Sequence, residues 1–170
     1  SVDCRSGTAS YTDLADGDYV LTINIEDSAN QKGEPLIAQF RIDGTKPVVA
    51  VSQTPAAISG ATSTSFTFVA TDGLSGVTGT ECAIDGGVYS ACTSPMNVSA
   101  LSQGTHAIKI RALDRAMNMS DEYSFTWKVD TTAPSLNLLT TPAALTKNTS
   151  PDFSFNGMDD GQVITQFECQ

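Results

Sequence analysis

The 170-residue chain is 40% hydrophobic with 13 Gly and 7 Pro, ordinary for a globular protein with buried cores and too apolar for a disordered one. Nine Lys and Arg against 19 Asp and Glu leave a net charge of −10 and an isoelectric point near 4.2. That charge repels a phosphate backbone and an anionic membrane surface alike, which argues against nucleic acid and against direct membrane insertion. The acidic groups are scattered through turns, as solubility and mutual repulsion require, with divalent cation binding as the sharper alternative. No apolar run approaches the roughly 20 residues of a membrane span, and without an initiating Met or signal peptide the chain reads as a mature piece of something longer.

Short alternating runs follow one another along the chain. Tyr19, Leu21, Ile23 and Ile25 share one face of a strand, with Thr22 and Asn24 on the other. After Asp43-Gly44-Thr45-Lys46-Pro47 come Val48–Ser52, Ser65–Ala70 and Thr80–Ile84, then the turn Asp85-Gly86-Gly87, then Val88–Cys92 and Asn97–Leu101. Past Ser102-Gln103-Gly104, the residues His106, Ile108, Ile110 and Ala112 point one way while Lys109 and Arg111 point the other, and Tyr123–Val129 closes the series. Period-2 alternation bounded by Gly, Pro, Asp and Ser clusters predicts half-buried strands, and no window offers an N-cap followed by an amphipathic helix.

The chain repeats itself at an offset of 87 residues. Leu14, Gly17, Asp27, Ala29, Asp43, Thr45 and Pro47 recur as Leu101, Gly104, Asp114, Ala116, Asp130, Thr132 and Pro134. Phe66, Phe68, Asp72, Glu81 and Cys82 recur as Phe153, Phe155, Asp159, Glu168 and Cys169. Such a period marks an array of one folded module. Seven short strands per period is the count of an immunoglobulin-like sandwich. The expected organisation is therefore all-β: the second half of one repeat over 1–45, a complete repeat over 46–132 and the first half of another over 133–170.

Several segments carry a family resemblance. Ala70-Thr71-Asp72-Gly73-Leu74-Ser75-Gly76-Val77, Glu81-Cys82-Ala83-Ile84-Asp85-Gly86-Gly87 followed by Ala91-Cys92-Thr93-Ser94-Pro95, Leu113-Asp114-Arg115-Ala116-Met117-Asn118, and Val129-Asp130-Thr131-Thr132-Ala133-Pro134 resemble the tandem Ig-like repeats of large bacterial surface proteins. The resemblance implies an extracellular or cell-surface setting and a role as stalk, spacer or adhesive arm. The chain departs from the family where the usual Ala-Gly-Asn turn reads Ala116-Met117-Asn118, and Ala29-Asn30-Gln31 one period earlier.

Nine residues separate Cys82 from Cys92 across a Gly-rich turn, a spacing that brings the Cβ atoms of two antiparallel neighbours within bonding range, so a hairpin disulfide is expected. A zinc site lacks the accompanying His and Cys cluster. Cys4 and Cys169 have no obvious partner. Cys169 aligns with Cys82, and Cys4 with Cys92 if one residue is inserted before Leu14. Either the repeat continues beyond this window, or the half-repeats of successive chains complete each other in a fibre bridged from Cys169 to Cys4.

His106 takes the place of Tyr19, where a sandwich turns a corner and a Tyr ties its hydroxyl to backbone. With one His and no Gly-x-Ser-x-Gly elbow, nothing suggests catalysis. Asp43, Asp72, Asp114, Asp130 and Asp159 at strand ends are the candidate calcium ligands, lying at or near linkers too short to let modules swing freely; no other cofactor is implied. Trp127 and its counterpart Phe40 are expected in the core, an exposed sugar-stacking strip being the alternative. Three functions follow: a disulfide-clamped stalk or adhesive array, with receptor binding residing elsewhere; a fibre subunit built through shared half-repeats; or a glycan-binding module of a polysaccharide-active protein. The expected partners are neighbouring repeats or the next subunit, with a cell-surface receptor or glycan beyond them.

Overall fold

The computed structural model describes residues 7–160 and 162–170; Cys4 lies outside them. Among the described residues there are twelve strands and no helix: β1 (Gly17–Ile23), β2 (Leu36–Ile42), β3 (Val48–Gln53), β4 (Ile58–Ser59), β5 (Thr64–Thr71), β6 (Val77–Ile84), β7 (Ser90–Cys92), β8 (Met96–Val98), β9 (Gly104–Asp114), β10 (Tyr123–Val129), β11 (Ser135–Thr140) and β12 (Ser154–Met158).

β3 to β10 form an immunoglobulin-like sandwich. One sheet runs β4-β10-β9-β6-β7 and the other β3-β5-β8, and the alternation of each strand directs one set of side chains between them. On β9, His106, Ile108, Ile110 and Ala112 are buried while Lys109 faces solvent. Phe66 on β5 meets Phe125 edge-on at 6.1 Å and Trp127 at 5.3 Å. Around them Phe68, Cys82, Leu101, Ile108, Ile110 and Val129 complete one cluster. Trp127 is 2% exposed, so its ring belongs to the core and is no sugar platform.

The sandwich has eight strands, one more than the alternation indicated. The extra one, β4, is a two-residue segment parallel to β10, held where Lys128 N donates to Ala57 O and Asp130 N donates to Ser59 O. Two residues are too few to show a period. The strand expected from Val88 begins at Ser90, because the turn after Ile84 extends through Gly87 and leaves Val88 in solvent.

On either side lies a two-stranded antiparallel sheet, β1–β2 and β11–β12. Their registers repeat those of the sandwich. Tyr19 opposes Phe40 as His106 opposes Trp127, and Ser135 opposes Met158 as Val48 opposes Thr71. The irregularity between Leu138 and Thr140 recurs between Val51 and Gln53. The isolated bridge Glu26–Lys32 likewise matches Leu113–Met119.

The turns at Asn30 and Met117, one period apart, share a backbone shape. Met117 has φ 71° and Asn30 φ 61°, so both stand in the left-handed region that a glycine would enter without a Cβ clash. Asp114 secures the turn by accepting the Asn118 amide on Oδ1 at 2.8 Å, and Asp27 does so by accepting the Ala29 and Gln31 amides at 2.9 and 2.8 Å. In both turns the Asp side chain accepts backbone amides and so helps to hold a conformation that a glycine would adopt without strain.

Candidate functional site

Three of the five strand-end aspartates converge. Asp43 follows β2, Asp72 follows β5 and Asp114 ends β9; each offers a carboxylate oxygen, and the three oxygens lie within 4.8 Å of one another. The backbone between β5 and β6 wraps them. Asp72 Oδ1 accepts the amides of Leu74, Ser75 and Gly76 at 3.1, 2.9 and 2.7 Å, and the Ser75 amide also donates to Asp43 Oδ2 at 2.9 Å. The Gly76 amide foremost, then those of Leu74 and Ser75, hold the Asp72 carboxyl below its ordinary range against the opposing effect of desolvation. Asp72 therefore stays charged beside two other carboxylates.

Asn118 supplies the cross-tie, its Nδ2 donating to Asp114 Oδ2 at 2.8 Å and to Asp43 O at 2.9 Å. Arg41 adds a second, pairing with Asp18 while its Nη1 donates to Leu74 O at 2.8 Å. Asp72 Oδ2 and the Ser75 hydroxyl oxygen are shut off from solvent with no hydrogen-bond partner. The second Asp72 oxygen and the Ser75 hydroxyl thus leave unused hydrogen-bonding capacity inside an oxygen-rich site whose other carboxylate contacts come from backbone amides and Asn118.

Asp130 and Asp159 stand at the other linker and join no group of three among the described residues. Asp130 accepts from Gln103 Nε2 at 3.0 Å and pairs with Lys128 at 3.3 Å. Gln103 is the leading cause of its lowered pKa. Asp159 Oδ1 accepts the Asp160 amide at 2.9 Å. The position corresponding to Asp114 at this linker falls past residue 170.

Both linkers are latched alike. Asp16 accepts the Gly44 amide at 2.7 Å and the Thr45 hydroxyl at 2.5 Å; one period later, Gln103 Oε1 accepts the Thr131 amide at 2.6 Å and its hydroxyl at 2.8 Å. The first linker also carries Lys46 to Asp121 at 3.0 Å, and Lys128 Nζ reaches Asp160 O at 3.1 Å beyond the second. Neither Asn118 nor this latch was found by sequence reasoning. Asp16 and Gln103 share a repeat position but differ in type, so identity across the period passes over them.

Cys82 and Cys92 form the expected disulfide. Cys169 is exposed and unpaired among the described residues. The corner role read for His106 is also present: Tyr19 Oη donates to Ala15 O at 2.8 Å, and His106 Nε2 donates to Ser102 O, the same repeat position, at 2.9 Å. His106 Nδ1 faces Asp85 Oδ2 at 2.7 Å. Both ring nitrogens thus meet acceptors, which the imidazolium satisfies and a neutral ring cannot. The Ser102 carbonyl first, then Asp85, raises the His106 pKa above its ordinary 6.5. A raised folded-state pKa contributes stability that is whole below 6.5 and fades as pH climbs through the higher folded value. Thermal midpoints should therefore fall in the wild type as pH rises beyond 6.5 and stay level in His106→Tyr, which keeps the corner bond without a group titrating there; parallel profiles would refute this.

No family model matches the chain, and no curated protein matches it. Among solved structures it is similar to a fibronectin(III)-like module structure of Clostridium thermocellum CbhA, with 21% identity over 68% of this chain and 64% of that one, and a TM-score of 0.44. The match thus spans under two thirds of that chain. The immunoglobulin-like assignment rests on the strand order described above.

Proposed function

We propose that this chain is a non-catalytic stalk or adhesive segment of a bacterial extracellular or cell-surface protein, an array of Ig-like repeats whose task is mechanical. The observation that carries the reading is the recurrence, 87 residues apart, of the same strand registers and the same linker latch. Short latched linkers keep successive modules from swinging, and the bridge across β6 and β7 resists unravelling at a sheet edge. The single imidazole has both nitrogens engaged by Asp85 and Ser102, which supports the non-catalytic reading.

Force spectroscopy on the chain tests it. The sandwich should open in one cooperative event, and reduction should lengthen that event by about 30 Å, the extended chain between the two cysteines less the 5.8 Å that the bridged pair already spans. Extension without a force peak would overturn the reading.

The acidic site favours a second element, cation-dependent stiffening. Calcium takes six to eight oxygen ligands, and the carboxylates of Asp43, Asp72 and Asp114, among them the unpartnered Asp72 Oδ2, supply hard donors between β2 and the sandwich. Calcium should raise the thermal midpoint of the wild type by several degrees and leave Asp72→Asn unmoved, with magnesium less effective because it dehydrates reluctantly. Equal responses in the two proteins would rule the site out.

A further inference from the structure

We infer that the outer face of the β3-β5-β8 sheet is a lateral interface, on which a second copy of this chain packs side by side about a two-fold axis. The surface belongs to the complete sandwich, and the contact runs across the proposed stalk where the linker latches run along it.

Charge is distributed unevenly over the two sheets. Val49, Val51, Phe66 and Phe68 point into the core, so alternation turns Val48 and Ala50 of β3 and Ser65, Thr67, Val69 and Thr71 of β5 outward. β8 adds Asn97 between the inward Met96 and Val98. None of these carries a charge, although 16% of the chain is charged and the outer face of the other sheet bears Glu81, Lys109, Arg111 and Lys128. Val48 is 63% and Val69 56% exposed, and Val69 lies in register with Ala50, which gives the face an aliphatic centre. Beside it, hydroxyls are bonded within the module: Ser52 Oγ donates to Thr67 O and Thr67 Oγ1 donates to Gln53 Oε1, both at 3.2 Å. Depletion of charge around an apolar centre is the compositional mark of an interface core. Hydroxyls already satisfied inside the module lose little when water leaves.

Net charge selects the partner. A chain at −10 repels its own kind, and on this face two copies meet without bringing like charges together. A charged ligand would find no counter-charge here, and a sugar would find no aromatic ring to stack on. One period on, Ser135, Asn137, Ser154, Asn156 and Met158 stand at the positions of Val48, Ala50, Thr67, Val69 and Thr71. They are uncharged again, with Asp152 outside β12 at the place of Ser65. Residue types change between the repeats while neutrality is kept, which fits a contact made by both. The same face on each copy makes the contact isologous and closed. Three short strands fall well below the roughly 20–30 residues a side of a stable pair, so one module associates weakly and successive repeats add to the contact.

The test uses the 170-residue chain with Cys4→Ser and Cys169→Ser. Under mild oxidation, Val69→Cys should form a disulfide-linked dimer several-fold faster than Thr126→Cys, which projects from the outer face of β10 in the other sheet. Raising NaCl from about 0.02 M to about 0.5 M should speed the first reaction further, because salt screens repulsion between acidic chains and leaves a neutral contact intact. In sedimentation equilibrium, Val69→Asp should weaken a self-association that Thr126→Asp, with the same change of charge, retains. The Trp127 unfolding transition shows that both variants are folded. Equal cross-linking of the two cysteine variants, equal sedimentation of the two aspartate variants, or association that salt dissolves would overturn the inference. Val69→Asp leaves the linker latches in place and should keep the single force event, so failure here is distinct from failure of the stalk reading.

Discussion

Phe66→Ala is expected to destabilise the sandwich by about 3–5 kcal/mol, whereas Phe153→Ala, at the same repeat position, should leave it nearly unchanged. Phe66 is fully buried between the two sheets, its ring against Phe125 and Trp127. Truncation removes its burial and leaves a cavity that neighbours anchored on two β-sheets can fill only in part. Phe153 is more than half exposed, so its loss opens no cavity. Trp127 is the single tryptophan and lies in the sandwich core, which makes its fluorescence in a urea titration a report on this module alone. Equal losses in the two variants would mean that the exposed hairpin contributes to the core as the buried strand does.

Removing the disulfide should be the next largest effect. Opening the loop between Cys82 and Cys92, with a sequence separation of 10, restores chain entropy to the unfolded state worth about 3 kcal/mol. For a module of this size the midpoint should fall by roughly 10–20 °C. The bridge runs diagonally, since Cys82 is in register with Ser90 and Cys92 with Thr80, and it fastens β7, the outermost strand of its sheet. Cys82→Ala with Cys92→Ala avoids placing a hydroxyl where Cys82 is buried. If the double variant melts within about 1 kcal/mol of the oxidised wild type, the clamp is dispensable.

Alternation made β9 and β10 legible, since a two-residue period over seven or more positions has no helical counterpart. The period of 87 residues made legible which residues of the flanking segments correspond to which of the central repeat, while their pairing registers came from the structure. The Cys82–Cys92 bridge and the corner position of His106 followed from local spacing and from the Tyr19 comparison. β4 could not be seen, because its two residues pair with a strand about 70 positions away. Nor could sequence separate Asp43, Asp72 and Asp114, which gather, from Asp130 and Asp159, which do not join such a group.

The sequence by itself determined the strand class, the repeat, the disulfide and the faces that point inward, because these depend on neighbours a few residues away or one period along. Only the tertiary structure decided that carboxylates from β2, β5 and β9 share one site, that Asn118 ties that site across the linker, and that Asp16 and Gln103 latch the linkers. Those contacts join residues 28 to 75 positions apart. Their distance is fixed by how strands stack and cross, and no local pattern in the chain encodes it.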